Sequence, residues 1–133
     1  MARTTFKNDM RVTGALTVDG VVTATGGVTA PVGAATATGG AATLNALRGK
    51  ITSESLTTAQ NAIYTLTITN SAIAAADLAM ASVSNGTNTQ GTPMIGKVTT
   101  GASSLVIEVI NKHATAQAFN GTIVVSFAAT KAA

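Results

Sequence analysis

The sequence predicts an all-β protein, in which an antiparallel, jelly-roll-like β-sandwich follows an extended N-terminal segment. Three observations predict this fold. Short runs of β-forming residues separated by turn residues begin near Arg48, two strongly apolar runs lie near the C-terminus, and a six-residue repeat lies near the N-terminus. We therefore divide the chain into an arm or stalk with a small-residue linker, residues 1–46, and a β-sandwich domain, residues 47–133.

The N-terminal repeat spans residues 12–30, VTGALTVDGVVTATGGVTA. Glycine, a large aliphatic residue and threonine each recur every six residues, as Gly14, Gly20 and Gly26, as Leu16, Val22 and Val28, and as Thr17, Thr23 and Thr29. Six is an even number, so in an extended chain every Leu or Val of this series points to the same side. Repeats this short are typical of stacked or intertwined β structures.

The repeat contains too few large apolar side chains to order itself. Their burial would not offset the conformational entropy lost by the backbone of the whole segment. We therefore expect the segment to become ordered only against sister copies in a trimeric stalk, or along the surface of another protein. The predicted assembly residues in this segment are Val12, Leu16, Val18, Val22 and Val28.

A small-residue stretch separates the repeat from the β region. Residues 31–40, PVGAATATGG, are expected to form a linker or a weak continuation of the repeat. Residues 41–47, AATLNAL, are expected to form one or two helical turns, with Thr38 as a possible cap and Gly49 just beyond the end.

Six strands are predicted in the C-terminal part. They are residues 50–56, 63–69, 78–84, 94–100, 104–111 and 121–128. Residues 71–76 are expected to make a single helical turn or a tight corner, and turns are expected at Asn85-Gly86 and at residues 101–103.

The last two predicted strands are apolar on both sides. A two-layer sandwich needs only one buried face per strand, so the second apolar face favours contact between subunits. The predicted interface residues on these strands are Val106, Ile110 and Val124. The alternative is that these residues lie along an interior edge of the fold.

Composition leaves little side-chain chemistry. Charged residues are 10% of the chain, aromatic residues 3%, and there is no cysteine, which excludes disulfides and thiolate metal sites. His113 is the only histidine and is expected to be a loop residue hydrogen-bonded to the backbone. No spacing of carboxylates or serines matches a catalytic motif, so we expect neither enzymatic activity nor a metal or cofactor.

Charge and hydropathy do not favour nucleic acid or membrane partners. The net charge is +3, and the local basic excess at Arg3, Lys7 and Arg11 has no interleaved aromatic residues for stacking on bases. No run approaches the roughly 18 apolar residues of a membrane span, and no apolar signal region is present at the start.

Two parts of the chain resemble virion proteins of tailed bacteriophages. The segment ALTVDGVVTATGGVTA is similar to the repetitive shafts of phage fibres. The stretches ITSESLTTAQNAIYTLTITNS, SVSNGTNTQGTP and VIEVINKHATAQAFNGTIVVSF resemble a β-sandwich module of capsid decoration (cement) and head-fibre proteins. Together these parts cover roughly residues 12–128.

The resemblance implies a structural protein of the virion. Proteins of this kind are typically homotrimers that bind the major capsid protein at threefold or quasi-threefold positions of the outer capsid surface and stabilise the head. The alternative is a short fibre or spike protein that recognises a receptor or glycan on the host surface. Sugar binding would need exposed aromatic rings, for which Tyr64 and Phe119 are the candidates.

Overall fold

A computed structural model describes Thr13, Gly14 and residues 32–132, and within them the protein is all-β. These residues form eight strands arranged in two four-stranded sheets. The strands are β1 (Gly33–Thr36), β2 (Ala41–Thr43), β3 (Arg48–Thr52), β4 (Ile63–Thr69), β5 (Leu78–Asn85), β6 (Pro93–Gly101), β7 (Ser104–Asn111) and β8 (Ile123–Thr130).

The chain builds the two sheets by crossing between them. The first sheet has the order β1-β3-β8-β5 and the second sheet the order β2-β4-β7-β6. Successive strands up to β6 alternate between the sheets, and β6 and β7 form a hairpin whose turn lies between the paired residues Gly101 and Ser104. The predicted sandwich is therefore confirmed as a two-sheet, all-β architecture.

The prediction of purely antiparallel sheets was wrong. β1 pairs with β3 in parallel, and β2 pairs with β4 in parallel, whereas all other pairings are antiparallel. Both parallel pairs arise because the chain visits the opposite sheet before it returns beside an earlier strand, so no hairpin forces the direction to reverse.

The linker and helix predicted between residues 31 and 47 were also wrong. Gly33–Thr36 and Ala41–Thr43 are edge strands of the two sheets, so the described sandwich begins well before residue 47. Thr38 forms an isolated bridge with Ala41 and caps no helix. Pairing with β4 outweighs the weak helix preference of a segment that is too short to be helical alone.

The predicted strands from residue 63 onward agree closely with the structure. β4 and β7 have the predicted bounds, β5 extends one residue further at its end, and β6 extends one residue further at both ends. β3 begins and ends earlier than predicted, and β8 lies two residues later.

The core lies between the two sheets and is formed by alternate residues of each strand. On β7 the inward residues Leu105, Ile107 and Val109 are fully buried, and on β8 the inward residues Ile123 and Val125 are too. Residues of the connections complete this core, among them Leu56, Ile73 and Phe119.

A buried asparagine holds three loops at one end of the sandwich. The Asn111 side chain is fully buried; its Nδ2 donates to the Thr58 and Gln117 carbonyl oxygens, and its Oδ1 accepts from Thr92 N and His113 N, at 2.7–3.2 Å. Every hydrogen-bonding position of the amide is used, which makes a buried polar group compatible with a stable core.

Candidate functional site

The predicted assembly residues fall into two groups. Val12, Leu16, Val18, Val22 and Val28 lie outside the described residues. Val106, Ile110 and Val124 are half-buried and face outward from the sandwich, away from the core.

The structure does not bring these three outward residues together. Val106 and Ile110 lie on the outer face of the second sheet, separated by Glu108 on the same strand. Val124 lies on the outer face of the first sheet, between Thr52 and Ser84. The two faces point in opposite directions, so one partner surface of ordinary shape does not contact both.

The outer face of the second sheet carries an apolar row across three strands. Ile63 of β4, Ile110 of β7 and Met94 of β6 are cross-strand neighbours, and Ile63 and Met94 are 54% and 52% exposed. Ile110 leans over Gly96, where a Cβ would lie 2.8 Å from Ile110 Cδ1. We call these three residues the apolar row; they form an uncharged strip at one end of the face.

The next rows of this face are polar. Thr65, Glu108 and Lys97 are paired across the strands, followed by Thr67, Val106 and Thr99. Lys97 and Glu108 are register partners, but among the described residues the only ion pair within 4.0 Å joins Lys131 and Asp77. Val106 is therefore an isolated aliphatic residue among threonines and is separate from the apolar row.

The outer face of the first sheet exposes two large apolar side chains on its edge strand β5. Leu78 and Met80 are 70% and 71% exposed, the highest values among the large hydrophobic residues described. Beside Met80 lies a shallow depression of about 290 Å³ over the small residues Ser82, Ser126 and Ala128.

Sequence reasoning missed Leu78, Met80, Ile63 and Met94 as surface residues. The alternation in residues 78–84 and 63–69 separates the two sides of each strand, but it does not identify the side that faces the core. A usable signal was present in β5, because Leu78 and Met80 share their side with Ser82 and Ser84, whereas Ala79, Ala81 and Val83 lie on the other side.

Two carboxylates of the described residues, Glu54 and Asp77, act as structural clamps. Glu54 accepts hydrogen bonds from Gly40 N at 2.8 Å and from the Tyr64 hydroxyl at 3.0 Å, which fastens the turn before β2 to β4. Burial, together with the hydrogen bond and charge of Glu54, raises the pKa of the Tyr64 hydroxyl. His113 Nδ1 accepts from Thr115 N at 3.2 Å, so the expected backbone hydrogen bond of the loop histidine is confirmed.

A second clamp joins the C-terminal residues to the corner before β5. Lys131 Nζ donates to Asp77 Oδ2 at 2.6 Å, and Ala74 N and Ala132 N donate to the same carboxylate. The Lys131 hydrogen bond, followed by those of the two backbone amides, lowers the pKa of Asp77 from 3.8 to about 2.

The described residues contain no cluster of three or more His, Cys, Asp or Glu side chains able to hold a metal ion. The two aromatic residues required by the sugar-binding alternative are buried, with exposures of 8% for Tyr64 and 2% for Phe119. These two rings are therefore not available for stacking on a sugar. Across residues 32–132 there is no helix with the length and hydropathy needed to cross a bilayer.

Comparison with known proteins finds no matching family model, no matching curated protein and no matching solved structure.

Proposed function

We propose that this chain is a structural protein of a tailed-bacteriophage virion, a trimeric capsid decoration (cement) protein that binds the major capsid protein on the outer surface and stabilises the head. In this proposal residues 12–30 form the extended arm or trimeric stalk, and the jelly-roll-like sandwich caps the junction between capsid subunits. The proposal draws on the sequence resemblance and on the surface of the sandwich.

The observation that carries the proposal is the apolar row on the second sheet. Ile63 and Met94 are more than half exposed although the sandwich has a separate, fully buried core of its own. Exposed apolar strips with polar surroundings mark contact surfaces. We therefore assign the row to contact with another protein subunit in the assembled particle.

The mechanism is thermodynamic. A ligand that binds the assembled state, and not the dissociated one, stabilises the assembled state. Many identical copies that each bridge neighbouring capsid subunits would add their association free energies and oppose the outward pressure of packaged DNA. Three linked copies also make weak individual contacts sufficient, because the second and third contacts form at high effective concentration.

The test compares the full chain with a variant that lacks residues 2–31. Both sheets start at Gly33 or later, so the deletion is expected to retain the β circular dichroism spectrum and the cooperative unfolding of the sandwich. At concentrations low enough to separate weaker contacts, sedimentation equilibrium is expected to give a trimer for the full chain and a smaller species for the deletion. In a pull-down with undecorated capsids of the encoding phage, only the full chain is expected to bind.

Each result has a defined meaning. Capsid binding by the deletion variant at the affinity of the full chain would contradict the role given to the front segment. Absence of capsid binding by the full chain would contradict capsid decoration itself, and a glycan array with the same protein would then examine receptor binding.

A further inference from the structure

The edge strand β5 differs from the other three sheet edges in having no protection against pairing. Edge strands are normally shielded by shortness, proline, charge or a bulge. β1 and β2 have four and three residues, and β6 carries Pro93, Lys97 and a bulge between Ile95 and Lys97. β5 has eight residues, LAMASVSN, with no proline, no charged residue and an unbroken register with β8.

β6 of the second sheet lies close to β5 without pairing with it, but the inward face of β5 is less covered than that of its neighbour β8. The inward residues Ala79, Ala81 and Val83 of β5 are only half-buried, whereas the inward residues Ile123 and Val125 on the neighbouring β8 are fully buried. Among the described strands, none pairs with β5 on the side away from β8. The outward residues Leu78 and Met80 lie on the same strand, so an open edge and an apolar surface coincide there.

We propose that the β5 edge binds the β5 edge of a second copy, antiparallel and around a twofold axis through Ala81. The two first sheets then form one eight-stranded sheet, with the order β1-β3-β8-β5-β5-β8-β3-β1 across the pair. This contact goes beyond capsid decoration and is measurable in purified protein without capsids.

Parity restricts the register of this contact. A twofold axis perpendicular to the sheet places each outward residue opposite an outward residue of the second copy. The outward residues of β5 have even numbers and the inward residues odd numbers, so the two residue numbers of each opposed pair must add up to an even number. The register centred on Ala81 meets this condition. It pairs Leu78 with Ser84, Ala79 with Val83, Met80 with Ser82 and Ala81 with Ala81 of the second copy.

Side-chain size favours that register. Both large outward residues, Leu78 and Met80, face serines, and the one larger inward residue, Val83, faces alanine. The depression beside Met80 lies over Ser82, Ser126 and Ala128. Met80 of the second copy is placed next to Ser82 and reaches this depression, and the twofold axis repeats the same contact on the other side. The side chains of β5 are therefore complementary in size to those of a second, antiparallel β5.

Charge is also compatible with self-pairing. In a twofold contact every charge on the strand would lie close to its own copy, and residues 78–85 carry none. The nearest charge, Asp77, is already bound to Lys131 and faces Asn85 of the second copy in this register. No like charges are thus brought opposite each other.

Cysteine cross-linking of the full chain tests the register. The native chain has no cysteine, so a single introduced thiol has no native competitor. Met80→Cys protein is mixed with Ser82→Cys protein, one of them isotope-labelled, and oxidised mildly. Directly opposed residues have Cβ atoms about 4.5–5.5 Å apart, close to disulfide geometry, whereas diagonal neighbours are about 7–8 Å apart. Mixed dimers are therefore expected to form faster than dimers of either variant alone.

Sedimentation velocity over a concentration series tests the contact itself. Met80→Lys is expected to halve the mass of the largest reversible species and to weaken this association by roughly 100-fold, because lysines from both copies approach across the axis. Val32→Lys is the matched control, because Val32 is 61% exposed beside β1, at the opposite edge of the same sheet. The control is expected to behave as the wild type, and both variants are checked for unchanged thermal unfolding.

Three outcomes would overturn the proposal. They are mixed cross-links no faster than the self cross-links, an unchanged assembly mass for Met80→Lys, and protection from exchange of the β5 amides that point away from β8 at concentrations where this association is not measured. The last result would show that a segment of the same chain covers the edge.

Discussion

At the residue scale, the buried asparagine side chains of the described residues fix loops. Asn111 alone joins the connections around Thr58, Thr92 and Gln117, and Asn70 links Ala46 to Ala72 in the same manner. An asparagine offers two donors and an acceptor that takes two bonds, so one buried amide replaces several lost water contacts. No periodicity in the sequence identifies these asparagines, because their partners are 2 to 53 residues away.

The Asp77–Lys131 clamp predicts a specific dependence of stability on pH. The folded pKa of Asp77, about 2, is below its ordinary value of 3.8, so between these values the unfolded chain binds a proton that the folded chain does not. Stability from this group is therefore fully present above about pH 4 and is lost as the pH falls toward 2. Urea unfolding of the wild type and of Asp77→Asn is expected to show a stability difference that shrinks across this window.

A second variant separates the ion pair from the rest of the clamp. Lys131→Met removes the largest contributor to the lowered pKa of Asp77 and leaves the backbone donors Ala74 and Ala132 in place. Lys131→Met is expected to lose part of the pH-dependent stability that Asp77→Asn loses in full. A wild-type advantage over Asp77→Asn that stays constant from pH 5 to pH 2 would contradict the assignment.

At the element scale, strands with strong local signals could be predicted and strands that depend on distant partners could not. Alternation defined β4, and the apolar run defined β7, with the observed bounds. β1 and β2 consist of small residues without alternation, and they are strands because β3 and β4 accept them as neighbours. Their parallel direction is likewise a property of the chain path and has no local signature.

The parallel pair β1–β3 depends on glycine at a crowded position. Gly49 lies under Leu44 and against the buried ring of Phe127, where an added Cβ would be 2.9 Å from Phe127 Cε1. Gly49→Ala is expected to lower the free energy of unfolding by about 1–3 kcal/mol through overpacking. Chemical denaturation provides the measurement.

The neighbouring outward residue supplies the control for this element. Lys50→Ala changes a side chain that points to solvent on the same strand, and it is expected to change stability by less than about 0.5 kcal/mol. Equal effects of the two variants would show that β3 tolerates a methyl group at Gly49 and that the close contacts there are relieved by a small shift.

At the scale of the whole molecule, the core of the sandwich could be predicted from the sequence, but the grouping of residues on its outer faces could not. The inward residues of β7 and β8 follow from their sequence, as does the expectation that their outward residues are partly apolar. The sequence predicted Val106, Ile110 and Val124 as interface residues, and the fold puts Val124 on the face opposite to the other two. Which residues share a face depends on how the chain crosses between sheets, and that path is set by packing of the complete domain.

A double variant in the apolar row tests whether the row is a contact surface or a part of the core. The double variant Ile63→Thr and Met94→Thr replaces two half-exposed side chains with a residue that favours strands, so the free energy of unfolding is expected to fall by less than about 1 kcal/mol. Association in concentrated solution and binding to capsids are expected to weaken, which light scattering and pull-down measure.

The matched control lies on the other side of the same sheet. Ile107→Thr buries an unpaired hydroxyl at a position with 0% exposure and is expected to cost about 2–4 kcal/mol in stability. If the double variant destabilises the fold as much as Ile107→Thr does, the row belongs to the core. If it leaves both stability and association unchanged, the row is an ordinary solvent-exposed strip and the proposed subunit contact lies elsewhere. Loss of association with retained stability is the result that a contact surface requires.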